Sequence, residues 1–144
     1  MKGNTLVLKD LPADSKWCDK DRVMLLACFQ LLVNFVEKEK PQNIVDFKHD
    51  RNQRAQWKEI QALYKYWKKD RPAEDKHIGE ARLKWSKSIK SRRETIPGEN
   101  LVTEVLIQED RKARNHFWKW EDRFEKREEE MLQRLIGIRQ HLWC

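Results

Sequence analysis

An all-α fold, a helical bundle with a long C-terminal helix that self-associates, is predicted by three observations. The chain has only 4 Gly and 4 Pro in 144 residues, too little turn chemistry for a many-stranded sheet. Its apolar residues make up 39% of the total and recur at helical spacing, so a core is expected despite 38% charged residues and a net charge of +7. The last segment, Glu99 to Trp143, contains no Pro and one Gly. A chain of this length fits one domain with one sizeable core, so 1–144 is read as a single helical domain.

Residues 1–16 read as an arm, because Leu6-Val7-Leu8 is followed by Leu11-Pro12-Ala13-Asp14-Ser15 and a helix does not propagate through such a sequence. The first helix is expected over 19–40, opened by Asp19 and Asp21, whose charge suits the positive end of a helix dipole, and closed before Pro41. Twelve of the fourteen residues from Val23 to Val36 are apolar, fewer than the roughly 20 that cross a membrane. Met24, Leu25, Cys28, Leu31, Leu32, Phe35 and Val36 form a face broad enough for a helix central to a bundle. No contact with membrane is expected.

A second helix is expected over 51–70, with Trp57, Ile60, Tyr64 and Trp67 on one face and a stop at Arg71-Pro72. A third, over 73–94, carries Ile78, Ala81, Trp85 and Ile89 and ends near Pro97-Gly98. The last, over 99–143, keeps Phe117, Trp120, Phe124, Met131, Leu135, Ile138 and Leu142 in register, with Glu128 filling the one polar step. A helix of that length in so small a protein is expected to reach a second copy, and the Trp118, Trp120 and Trp143 surfaces add to that expectation. Cys18, Cys28 and Cys144 form no C-x-x-C pair, and with no signal peptide recognised the expected setting is a reducing host cytoplasm.

The charge is uneven. Residues 51–93 hold fourteen basic side chains against five acidic, residues 1–50 hold eight of each, and residues 94–144 hold nine against eleven. Within the basic region, Lys84, Lys87, Ser88 and Ser91 share one side of a helix, with Lys90, Arg92 and Arg93 close by. Ammonium, guanidinium and hydroxyl groups together suit phosphate oxygens. Lys68, Lys69 and Arg71 form a second cluster, and Trp67 and Trp85 offer rings for stacking on a base. The ordinary reading of a charge run is a solvated face; two clusters in one region favour a ligand.

Other chemistry has weaker support. Glu121 and Glu125 could share a cation, but Arg123, Lys126 and Arg127 alternate with the acids as on a salt-bridged exposed helix. His49, His77, His116 and His141 are scattered, without a partner at ligand spacing. No phosphate loop or nucleophile elbow is present. No catalytic group, metal or cofactor is assigned, and the protein is not expected to be an enzyme.

Met24 to Glu39 (MLLACFQLLVNFVEKE), then LYKYW at 63–67 with Arg71-Pro72, resembles the opening of a family of small tailed-bacteriophage proteins. EEMLQRLIGIR at 129–139 with Leu142-Trp143 is similar to the way those proteins end. Tyr64, Trp67, Arg71, Arg134, Arg139 and Trp143 are the matching positions, and together the segments cover about a third of the chain. Many members are acidic where this chain is basic, around Lys84 to Arg93. The resemblance implies a phage setting, not an activity. The leading expectation is thus a phage accessory protein, a homo-oligomer that sequesters a phosphate-bearing ligand, with a host immune nucleotide signal as one candidate. A nucleic-acid-binding protein is the second reading, and a protein-only inhibitor or structural component of a phage is the third.

Overall fold

The computed structural model describes residues 6–11, 19–95 and 104–142, with side chains described for 6–11, 19–89 and 110–142. The fold is all-α, with no strand among the described residues: α1 is Lys20–Asn34, α2 Arg51–Lys65, α3 Arg71–Thr95 and α4 Glu104–Gly137. Two π-helical segments, Phe35–Glu39 and Tyr66–Asp70, extend α1 and join α2 to α3. Among the described residues, no helix is long and apolar enough to cross a membrane. The chain is organised as two compact units, Met1–Lys69 with Glu129–Cys144, and Asp70–Glu128.

In the first unit, Leu25, Leu26, Phe29, Leu32 and Val33 of α1 pack with Phe35, Ile60, Leu63, Tyr66, Trp67, Met131 and Leu135. The Phe29 and Trp67 rings stack at 4.3 Å and 5°. The buried side of α1 is thus narrower than its composition: Met24 and Leu31, expected on the core face, lie on the opposite side and are 65% and 53% exposed. The neighbouring core residues cover the stripe that positions 25, 29 and 32 share, and 24 and 31 fall outside it. Lys40 ends the helical run with φ of 48°, a left-handed turn that costs a non-glycine residue about 1–2 kcal/mol, and Pro41 opens a 3-10 turn, Pro41–Asn43.

The expected stop at Arg71-Pro72 is absent. The backbone stays helical from Arg51 to Thr95, because the π-helical segment resets the hydrogen-bond register and leaves Pro72 in the first turn of α3, where its missing N–H is tolerated. α3 therefore starts at Arg71 instead of residue 73. α4 runs to Gly137, and a 3-10 turn, Arg139–His141, follows; the expected end at Trp143 lies outside the described residues.

The second unit is a pair of helices closed by Ile78, Ala81, Phe117 and Phe124, with Trp85 and Trp120 against them. Glu128, the polar step in the α4 stripe, accepts hydrogen bonds from Arg71 Nε at 3.0 Å and Nη2 at 2.7 Å. The two side chains are only 13% and 12% exposed.

Side chains that look terminal in sequence tie the first unit together. Arg134 donates to both oxygens of Glu59, at 2.6 and 2.8 Å. That hydrogen bond holds the Glu59 carboxyl below its ordinary 4.5. A carboxylate depressed in the fold stabilises it above the unfolded value, and the gain is lost as pH falls through the folded value. Melting curves between about pH 6 and pH 3 should therefore show Glu59→Gln with a lower Tm at neutral pH and a shallower acid decline than the parent protein. Parallel declines would rule out this contribution.

Candidate functional site

Polar groups gather in two places. In the first unit, Glu37 of the first π-helical segment accepts a hydrogen bond from Tyr64 Oη at 2.8 Å and pairs with Lys68 Nζ of the second at 3.0 Å. The Tyr64 and Lys68 hydrogen bonds hold the Glu37 carboxyl below its usual value. The same bonds push the Tyr64 phenol and the Lys68 ammonium up. Lys68 already has its counter-charge.

The other sequence candidates near it are also placed. Trp67 is 7% exposed and stacked on Phe29, so its ring belongs to the core. Lys69 is exposed at the edge of the first unit. Arg71, in the second unit, is held by Glu128 and lies 5.3 Å from the centre of the Phe124 ring. Trp67, Lys68, Lys69 and Arg71 thus do not form one open cluster.

The second gathering lies in the α3–α4 pair. Trp85 stacks on Phe117 at 5.6 Å, meets Trp118 edge-on at 6.3 Å and donates its indole N–H to Asp110 at 3.0 Å. Arg82 lies 5.3 Å from the centre of the Phe117 ring, and Arg114 4.8 Å from that of Trp118. These contacts bring residues 81–89 of α3 beside 111–120 of α4. The two stretches contain Arg82, Lys84, Lys87, Arg111, Lys112, Arg114 and Lys119, and no carboxylate. Among the described residues, only Arg82 of these seven pairs with an acid, Glu121 at 3.8 Å.

The rest of this unit is different. There, Arg127 meets Glu74 at 2.6 Å and Asp70 at 3.8 Å, and Lys126 meets Asp122 at 2.8 Å. Among the described residues, the unit is therefore salt-bridged in one part and largely uncompensated in the other. A pocket lined by Glu74, Trp120, Arg123, Phe124 and Arg127 has a volume of about 20 Å³, room for roughly one water molecule.

Of the sequence candidates, Lys84, Lys87 and Trp85 fall in the uncompensated part, whereas the Arg92 and Arg93 side chains lie outside the described residues. Sequence reasoning missed Arg111, Lys112, Arg114 and Lys119. The run Arg111-Lys112-Ala113-Arg114 was a local signal, hidden by the acidic total of residues 94–144. Three or more His, Cys, Asp or Glu able to hold a metal ion do not cluster among the described residues. Comparison with protein-family models, curated proteins and solved structures finds no match to this chain.

Paired and unpaired cations should respond differently to truncation. Removing Arg71 takes a guanidinium and two hydrogen bonds from a largely buried carboxylate, a loss of about 3 kcal/mol. Chemical denaturation should show Arg71→Ala destabilised by about that amount, while Lys84→Ala and Lys87→Ala stay within about 0.5 kcal/mol of the parent protein. Equal losses in all three variants would mean that the lysines carry structure.

Proposed function

We propose that this protein is a non-enzymatic binder of nucleic acid that engages phosphates, largely without regard to base sequence, through the cation-rich part of the α3–α4 pair. The observation that carries the reading is the meeting of seven cations on two contacting helical stretches, where the flanking Asp110 is bonded to Trp85 and Glu121 pairs with Arg82, with Trp85 and Trp118 among them. Uncompensated cations attract a polyanion and release its counterions on contact. A salt-bridged face would not do so.

A single captured nucleotide, the other phosphate-bearing ligand expected from the sequence, is favoured by an enclosed site that buries most of its surface. The pocket beside Trp120 is far smaller than that. Self-association remains part of the proposal, because Met24 and Leu31 leave apolar surface on the outer side of α1. A phage setting is what the segment resemblance implies, and phosphate binding requires neither that setting nor a role against host defence.

Fluorescence anisotropy with a labelled 30-nucleotide DNA should give an affinity that falls steeply between about 50 and 200 mM salt, as counterion release demands. Lys84→Ala, Lys87→Ala, Arg111→Ala and Lys112→Ala should each weaken binding, and each true phosphate contact removed should lower the log–log salt slope by about 0.7 to 0.9. An affinity indifferent to salt, or to all four substitutions in folded protein, would refute the reading.

A further inference from the structure

We infer that the nucleic acid taken by this surface is single-stranded, with an unpaired base stacking on Trp118. The inference rests on the nucleic-acid reading above and adds which form is recognised. Trp118 is 50% exposed, an unfavourable place for an indole unless something covers it. It is also held in place: Trp85 packs against it at 6.3 Å and 74°, and Trp85 is itself fixed by Phe117 and by its bond to Asp110.

Arg111, Arg114 and Trp118 fall on one stripe of α4, separated by roughly 4.5 and 6 Å along the helix axis. The Arg114 guanidinium lies 4.8 Å from the indole centre, and its Nε is shut off from solvent without an acceptor among the described residues. None of the three is engaged by a carboxylate among those residues. Two cations leading to a fixed, half-open ring match a strand whose phosphates meet the arginines while one base leaves its neighbours to stack. In a duplex the base faces are already occupied by adjacent pairs, so the ring would add nothing.

The test compares an oligo-dT 20-mer with a 20-base-pair duplex at equal salt, using the full chain and the variants Trp118→Ala and Trp118→Phe, each checked by circular dichroism. The single strand should bind more tightly to the parent protein. Trp118→Ala should weaken it about tenfold while changing duplex affinity less than twofold, in keeping with the stacking contribution of one base. Trp118→Phe should recover most of the loss, since a phenyl ring still stacks. Equal weakening of both forms, or no change in either, would overturn the strand preference while leaving nucleic-acid binding intact. Failure of both DNAs to bind the parent protein would overturn the functional reading and this inference together.

Discussion

Glu128 sits where the apolar stripe of α4 calls for a hydrophobic side chain, and the pairing of Arg71 with it is the contact on which the surrounding fold depends. A carboxylate shielded from water is tolerable only with a partner of good geometry. The two guanidinium hydrogen bonds at 2.7 and 3.0 Å to one carboxylate oxygen meet that need. Arg71 is the first residue of α3, beside a proline, and it also covers the Phe124 ring. A helix that stopped at Arg71-Pro72, as the dipeptide predicts, would free that position from regular structure. The π-helical segment keeps the chain helical, and so keeps Arg71 fixed where Glu128 requires it.

The two π-helical segments share another consequence. Such segments are rare and recur at functional positions, yet here the groups they present, Glu37 and Lys68, neutralise each other. Tyr64 completes the set. These contacts stabilise the first unit locally and remove Lys68 from the pool of charges open to a ligand.

Much of the fold was legible because helical periodicity survives in Trp57, Ile60, Tyr64 and Trp67 and in the stripe from Phe117 to Leu135. Helix ends were less so. A proline reads as a stop, and a change of hydrogen-bond register from α to π leaves no mark in composition. The burial side of α1 was ambiguous because an almost uniformly apolar helix carries little angular information, and only its neighbours select Leu25 and Phe29 over Met24 and Leu31. The candidate site was half legible. Lys84, Lys87 and Trp85 stood out in a basic run, whereas Arg111 and Arg114 belong to a segment whose total charge is negative. Their acid counterparts lie further along the same helix. Charge summed along a chain conceals what charge sorted in space reveals.

That sorting has a kinetic meaning. Within the Asp70–Glu128 unit, the carboxylates at 121, 122, 125 and 128 follow a stretch of α4 from 111 to 120 that has cations and none of them. That stretch is a local positive surface on the unit. A polyanion is drawn to it before contact, turning the approaching molecule so that its positive part arrives first. Orientation then ceases to be a matter of chance collision, and the fraction of productive encounters rises at low ionic strength.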